Sequence, residues 1–325
     1  MNTNKYTIAV IGCGRISNNA HFPALSGMDN VRIKYACDLI PEKAEDKVAR
    51  FGAEQAITDY KTALDDPEVE AVWVLTPNYA HYTVTMDALK AGKHVFCEKP
   101  ITVNYDLSCK MAKEAKKQGK LLNIGVCNRY HKTVEMLEEM NRRGDFGRIY
   151  HVYCSFRSHR SIPGLGGATL KTVTCDAYSE MAKDMKSYVY RGMWAEETKN
   201  LDGVNDVEDF ITGHIRTDKA SISFNGAWAQ NIEKDEMFID FLGDAAGVRM
   251  NYGGSFTLYT VKDGEFVQIT PEYEIPDMYA REDAAFLEAT RTGEHTRTHI
   301  DNILESAKLL DYLYRSAEEK KEIGF

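Results

Sequence analysis

Three groups of residues in this chain carry chemistry: the loop Gly12-Cys13-Gly14-Arg15-Ile16-Ser17, the carboxylate of Asp38, and the tripeptide Glu98-Lys99-Pro100. Lys99 closes an apolar run that reads as a buried strand. Lysine is costly to bury, so one at the carboxyl end of a strand in a nucleotide-type fold needs a reason. Proton transfer beside a nicotinamide ring supplies one. A surface lysine, with Pro100 ending the strand, is the plain alternative. A free lysine has a pKa of about 10.4 and is a poor base at neutral pH, but desolvation under a cofactor and the charge of an oxidised nicotinamide both push that value down.

The glycine loop follows an apolar strand and opens a helix. Its first glycine, Gly12, permits a tight turn. The second, Gly14, lets the backbone approach a pyrophosphate, which then rests on the helix N-terminus beside Arg15 and Ile16. Ser17 stands where a third glycine is usual and is still small enough for close helix–strand packing. Asp38 ends the next strand, 24 residues after Gly14. Its carboxylate can accept hydrogen bonds from both hydroxyls of an adenosine ribose. It repels a 2′-phosphate by roughly 4 kcal/mol at about 4 Å in a surface-like dielectric. The alternative for Asp38 is a solvated turn or a cap for Pro41-Glu42. The pattern predicts NAD(H) over NADP(H), with Lys43 the residue most able to blur the choice. Thr76-Pro77-Asn78-Tyr79-Ala80-His81 follows a later strand at the same edge. It either caps the next helix through Thr76 or Asn78, or lies against the cofactor; His81 reads equally as a packed helix residue.

These residues need a frame. Up to residue 127 the chain alternates short β-branched runs with charged, helical segments. Tyr6–Ile11, Val31–Cys37, Val69–Leu75, His94–Cys97 and Leu121–Val126 read as strands. Ser17–Leu25, Glu42–Phe51, Tyr79–Ala91 and Tyr105–Gln118 read as helices, with Pro23 a possible early stop for the first. Ala71-Val72-Trp73-Val74-Leu75 is apolar on both faces, as a parallel strand covered by helices on both sides requires. Repeated β-α units with right-handed crossovers predict a doubly wound α/β sheet, a Rossmann domain over 1–127. After a helix over Lys132–Arg143 the pattern changes to long strands: Gly147–Arg157, Asp209–Arg216, Ala220–Ala229, Met237–Leu242, Phe256–Val261 and Phe266–Thr270. Thr217-Asp218-Lys219 and Lys262-Asp263-Gly264 read as hairpin turns, and Ile222-Ser223-Phe224-Asn225 alternates as a sheet with one wet face does. Helices over Arg281–Thr292 and Ile300–Glu318 close an α+β domain, 128–325, with an open, mainly antiparallel sheet for substrate binding and oligomerisation.

The bulk properties exclude several classes. The 325 residues allow two domains, each with its own core, and 27% charged with 43% hydrophobic residues is ordinary for a globular protein. A net charge of −9 argues against nucleic acid or an anionic membrane as partner. Cys13, Cys37, Cys97, Cys109, Cys127, Cys154 and Cys175 show neither a CxxC pair nor a metal-like spacing, which suits reduced thiols in the cytoplasm and predicts no metal. Ile8-Ala9-Val10-Ile11 is too short for a signal peptide, and no stretch is long enough to span a bilayer.

With these pieces in order, the chain resembles the glucose-fructose oxidoreductase / inositol dehydrogenase / rhizopine-catabolism (Gfo/Idh/MocA) family of NAD(P)-dependent oxidoreductases. The resemblance rests on the glycine loop, Asp38, Thr76-Pro77-Asn78 with His81, Ala91-Gly92-Lys93-His94-Val95 running into Glu98-Lys99-Pro100, and Gly125 to Tyr130. It spans nearly all of the first half and, more loosely, the second. It implies that Lys99 lies near the nicotinamide and the reacting carbon and handles the hydroxyl proton. It further implies that Glu98 belongs to the cofactor site, and that Asn128 and Arg129 line the nicotinamide and substrate pocket; a surface ion pair is the alternative for Arg129. The implied activity is hydride transfer between NAD(H) and a hydroxyl or keto carbon of a sugar, inositol or related polyol, in a homodimer or homotetramer built through the C-terminal sheet.

The chain departs from that family at one place. Members usually continue from a loop like Ser161-Ile162-Pro163-Gly164-Leu165-Gly166-Gly167 into a second glycine-rich turn and a helix whose aspartate and histidine complete the catalytic site. Here Gly167 runs at once into Ala168-Thr169-Leu170-Lys171-Thr172-Val173, which reads as the strand expected after that helix. No Gly-Gly-…-Asp-x-Gly-x-His segment occurs, and Asp176 lies in the following strand region. Either the segment is absent, leaving Lys99 without its usual partners, or the sequence omits a piece of a longer chain. His159 and Arg160, just before the gap, are candidate substrate contacts, though such residues are more often simply exposed. The second functional reading is a catalytically weak or silent NAD(H)-binding protein with a regulatory or scaffold role; fold alone does not separate the two.

Overall fold

The computed structural model describes residues 5–102, 104–156, 169–180, 207–228, 230, 232 and 236–325. The chain divides into two compact units, Met1–Val134 with Ile275–Lys308, and Glu135–Glu274 with Leu309–Phe325.

The first unit is built on a parallel sheet of six strands among the described residues: β1 (Tyr6–Ile11), β2 (Val31–Cys37), β3 (Gln55–Ile57), β4 (Ala71–Val74), β5 (His94–Glu98) and β6 (Leu122–Gly125). Their order, β3-β2-β1-β4-β5-β6, reverses between β1 and β4, so the chain leaves these two strands in opposite directions and opens a crevice at their carboxyl ends. The connecting helices are α1 (Phe22–Ser26), α2 (Pro41–Phe51), α3 (Lys61–Asp65), α4 (His81–Lys90) and α5 (Tyr105–Gln118). A π-helical turn, Ser17–His21, leads into α1, and Pro23 sits in the first turn of α1. No intrahelical N–H is needed there, so the helix runs on to Ser26 and Pro23 does not cut it short. β3 is only three residues long, which is why its sequence gave no strand signal.

Alternate residues of the strands feed two cores, one on each face of the sheet. Ala9, Ile11, Val72, Val74, Val95 and Cys97 pack with α3, α4 and α5. Ile8, Val10, Ala71, Trp73 and Phe96 face the other way, toward α1 and α2 and toward a helix from much later in the chain. After α6 (Lys132–Arg143), that later helix is α7 (Met278–Thr292). Its Phe286 meets Trp73 edge-on at 5.2 Å and Phe96 at 5.8 Å between ring centroids. Right-handed crossovers put α1 and α2 over one half of this face. The other half, over β4 and β5, needs a cover from elsewhere, and α7 provides it.

The second unit holds a mixed sheet of nine strands among the described residues. These are β7 (Ile149–Phe156), β8 (Leu170–Tyr178), β9 (Phe210–Thr217), β10 (Ser221–Ala227), β11 (Met237–Gly243), β12 (Ala246–Asn251), β13 (Phe256–Lys262), β14 (Glu265–Ile269) and β15 (Ile323–Gly324). The order is β14-β13-β12-β11-β7-β10-β9-β8-β15, antiparallel except for β10 on β7. Val152, Cys154, Ile215, Ile222, Phe224 and Ile239 line one face, buried under Leu313 and Ala317 of α8 (Leu304–Glu319). The other face is wet: Asn225 bonds Ser155 and Tyr153, and Arg249 pairs with Asp240 at 2.5 Å. β12, in which Ala246, Val248 and Met250 alternate with Gly247, Arg249 and Asn251, was not among the strands read from the sequence.

Candidate active site

The site is built where β1, β2, β4 and β5 end. Gly12 turns the chain out of β1 with φ +100, and its N–H donates to the Cys37 carbonyl at 2.8 Å. A Cβ on Gly12 would lie 2.5 Å from the Leu75 carbonyl oxygen and 2.8 Å from Thr76 N. Only glycine fits, on grounds of both conformation and space. Gly14 differs: a Cβ there would meet nothing within 4 Å, so the backbone presents an open face to an incoming group. Ser17 is buried, and its hydroxyl donates to the Gly12 carbonyl, tying the loop to the helical turn that follows. Ile16 is half-buried against the α1 side of the core, and Arg15 is exposed.

Asp38 anchors the loop from the side. Its Oδ2 accepts from Cys13 N–H at 2.8 Å and its Oδ1 from Ile40 N–H at 3.0 Å. Each carboxylate oxygen accepts twice, so these bonds leave one acceptor position on each. Leu39 and Ile40, the next two residues, are apolar yet exposed, Leu39 by 85%. An open glycine, a carboxylate with acceptors to spare and an exposed apolar ledge suit a dinucleotide's phosphates, ribose and base in turn.

Thr76 and Pro77 leave β4 and lead into a 3-10 turn, Asn78–Ala80, and then α4. No side chain caps either helical start, so Thr76 and Asn78 are not caps; the Thr76 hydroxyl is buried and lacks a partner among the described residues. His81 is buried between two carbonyls, Nδ1 at 2.7 Å from Pro100 O and Nε2 at 2.8 Å from Thr76 O. A carbonyl only accepts, so each ring nitrogen bonds its carbonyl as a donor.

β5 is buried from Val95 through Glu98, and Lys99 is the first exposed residue beyond it. Among the described residues its ammonium has no hydrogen-bond or ion-pair partner. Glu98, by contrast, turns inward. Its Oε2 accepts from Lys99 N–H at 2.9 Å, and its Oε1 lies 3.1 Å from His21 Nε2. The other nitrogen of His21 faces both oxygens of Asp283, at 3.0 and 3.1 Å, and Trp73 Nε1 donates to Asp283 at 2.9 Å. Burial alone pushes the His21 imidazole down, but Asp283 and then Glu98 outweigh it and raise the pKa to about 10. The neighbouring Glu282 accepts from Val126 N–H at 2.7 Å through Oε1. Burial, then the charges of Glu98 and Asp283, raise its carboxyl well above the ordinary range. Glu98 and Asp283 thus flank His21, one at each ring nitrogen.

Cys127–Tyr130 forms a 3-10 turn after β6, with Asn128 half-buried. The Arg129 guanidinium is directed to the chain itself: it donates to the carbonyls of Arg297 at 2.7 Å and Asn302 at 3.2 Å. His159 and Arg160 lie outside the described residues, as does Ser161–Gly167. Sequence reading did not single out His21, Trp73, Glu282 or Asp283. The one local hint was a histidine on the apolar side of the first helix.

His295, His299 and Asp301 bring three potential metal ligands within 4.8 Å of one another. The two imidazoles stack at 3.5 Å, however, which points their lone pairs side by side and not at a common point.

Fold and site together define a two-domain oxidoreductase with a dinucleotide-binding first unit. Residues 6–126 match the family described as an oxidoreductase family with an NAD-binding Rossmann fold. Over these residues the chain is similar to the Gfo/Idh/MocA family. It is similar to D-glucoside 3-dehydrogenase of Escherichia coli (strain K12), 24% identical over 98% of this chain and 97% of that one. That alignment runs over 351 positions on a chain of 325 residues, so at least 26 positions of the relative have no counterpart here. Myo-inositol 2-dehydrogenase of Thermotoga maritima is 31% identical, over 43% of this chain and 42% of that one. The solved structure of levoglucosan dehydrogenase in complex with NADH superposes with a TM-score of 0.84 at 18% identity, covering 98% of this chain and 99% of that one; this likeness concerns the fold. No described helix is long and apolar enough to cross a membrane.

Proposed function

We propose that this protein oxidises or reduces a secondary hydroxyl carbon of a sugar, inositol or related polyol with NAD(H), and that Lys99 transfers the hydroxyl proton. The observation that carries the reading is the place of Lys99. It is the first exposed residue beyond a buried strand, at the same sheet edge as the open Gly14, with its ammonium unpartnered among the described residues. Names of relatives across the family support the substrate class: a glucoside dehydrogenase, an inositol dehydrogenase and a levoglucosan dehydrogenase.

The nicotinamide accepts or donates the hydride when bound. Gly14 and the helical turn after it receive the phosphates, and Asp38 orients the adenosine ribose. Asp38 also disfavours a 2′-phosphate. Asn78, with Thr76, Pro77 and Asn128, flanks the nicotinamide half, where Lys99 takes the proton in oxidation and returns it in reduction. Arg129 holds the loop around Asn302 and bounds the substrate side. His159 and Arg160 are proposed as further substrate contacts. The protein acts in the cytoplasm, consistent with cysteines that are all free.

The test is turnover with NAD⁺ on a panel of glucosides, inositols and anhydrosugars, for wild type and Lys99→Ala. Lys99→Ala is expected to lose turnover by at least 100-fold while NADH binding survives, since general acid–base catalysis contributes roughly 10²–10⁴-fold. Unchanged turnover refutes the role of Lys99. A parallel comparison of NADH and NADPH dissociation constants is expected to favour NADH by at least tenfold. A second reading is favoured by the lack of an Asp-x-Gly-x-His segment after Gly167: a weak or silent NAD(H) binder. Tight NADH binding with no turnover across the panel would establish it.

A further inference from the structure

We propose that His21 is a positioning residue for Lys99, and that together with His81 it clamps the Lys99–Pro100 turn to the loops that frame the dinucleotide. The inference rests on the reading of Lys99 as the proton-transfer group. The two outer backbone groups of the turn are each held by a side chain. Lys99 N–H donates to Glu98 Oε2 at 2.9 Å, and His21 grips the other oxygen of that carboxylate at 3.1 Å. Pro100 O accepts from His81 Nδ1 at 2.7 Å, and the same ring reaches Thr76 O at 2.8 Å. One imidazole thus ties the lysine turn to the helix that follows the glycine loop. The other ties it to the loop after β4.

These two anchor points are themselves joined. Ser17, four residues before His21, bonds the Gly12 carbonyl, and Gly12 packs so closely on Leu75 and Thr76 that no Cβ fits between. A shift of either loop is therefore passed to the lysine turn through a ring of hydrogen bonds closed by this packing contact. The path on the His21 side is rigid: the imidazole is fully buried, meets Phe96 edge-on at 5.2 Å and Tyr279 at 5.7 Å, and is held from behind by Asp283, which Trp73 also bonds. Gly125 keeps the space that Glu98 needs, since a Cβ there would lie 2.7 Å from Glu98 Oε1.

Stability alone is a poor account of this arrangement. A buried carboxylate–imidazolium–carboxylate row is seldom more stable than a well-packed apolar set of the same volume. The surroundings, Phe22, Trp73, Phe96 and Phe286, would accept such a set. The row does, however, end on the N–H of the residue that carries the proton, and misplacement of a reacting group by about 1 Å costs roughly 100-fold in rate.

The test compares His21→Gln, Glu98→Ala, Glu98→Gln and Lys99→Ala. Two readouts are used: hydrogen exchange of the Lys99 amide, and kcat and KM with NAD⁺ and methyl β-D-glucopyranoside or myo-inositol. His21→Gln and Glu98→Ala are expected to speed Lys99 exchange at least tenfold while the amides of β1 and β4 keep their protection. They should lower kcat 10- to 100-fold with KM and the NADH dissociation constant within threefold. Glu98→Gln, which keeps an acceptor for Lys99 N–H, should recover part of both losses relative to Glu98→Ala. A merely structural role would loosen the whole sheet and show no such split. If His21→Gln does not fold, Glu98→Ala decides: wild-type exchange at Lys99 overturns the proposal. If neither sugar turns over, the exchange readout decides alone. If Lys99→Ala turns over as wild type, the lysine reading itself fails; if it is inactive while His21→Gln and Glu98→Ala match wild type, only the clamp fails.

Discussion

At the scale of single residues, the two glycines of the dinucleotide loop do different physical work, although the sequence presents them as one motif. Gly12 is required by conformation and packing, with φ +100 and the Leu75 carbonyl 2.5 Å from any Cβ. Gly14 is required by nothing inside the protein: a Cβ there would meet nothing within 4 Å. Gly12→Ala is therefore expected to cost about 2 kcal/mol or more of stability, through strain and a backbone clash. Gly14→Ala should leave the melting temperature within about 2 °C and weaken NADH binding at least tenfold. Thermal unfolding and fluorescence titration of the two variants separate these outcomes. A Gly14→Ala protein that binds NADH as wild type would remove that glycine from the cofactor site. The spacing of the loop, Asp38 and Lys99 was legible because each lies at the end of a strand that its own neighbours announce.

At the scale of elements, α7 decides what the first helix and β5 can do. Arg281-Glu282-Asp283 is a run of charged residues near the start of α7, yet Glu282 and Asp283 are fully buried against the sheet. Their partners are Val126, Trp73 and His21, the last 262 residues away in sequence. No local pattern reports such a pairing, because a charged helix face looks the same whether it meets water or a distant histidine. The burial has a consequence for stability. The Glu282 carboxyl binds its proton more tightly folded than unfolded, so its contribution is complete below the ordinary value of 4.5 and is lost as pH rises toward the folded-state value. Glu282→Gln keeps the acceptor for Val126 N–H and removes this dependence. Its melting temperature is expected to fall less than that of wild type as pH rises above the ordinary carboxyl range, where one proton contributes up to about 1.4 kcal/mol per pH unit. Parallel pH dependences for the two proteins would show that Glu282 is ionised in the folded state.

At the scale of the whole molecule, the second unit offers a broad sheet with one face under α8 and the other bearing Tyr153, Phe238, Asp240 and Arg249, with the Arg249 guanidinium 4.1 Å from the Phe238 ring. We expect this face to join subunits, so that light scattering at micromolar concentration reports a dimer or tetramer; a monomer contradicts the expectation. What the sequence determined by itself is the doubly wound sheet, the mainly antiparallel second sheet, the glycine-rich loop after β1 and the lysine at the end of β5. These follow from hydrophobic period, glycine placement and strand order, all carried by residues close together in the chain. What only the tertiary structure decided is which helix closes the face of β4 and β5. Crossover handedness leaves that half-face bare, but any amphipathic helix could cover it. The arrival of α7 there buried Glu282 and Asp283 and fixed His21 between two carboxylates. With that, His21 came to hold the carboxylate that accepts from Lys99 N–H, because packing across long sequence separations sets burial, and burial sets both charge and position.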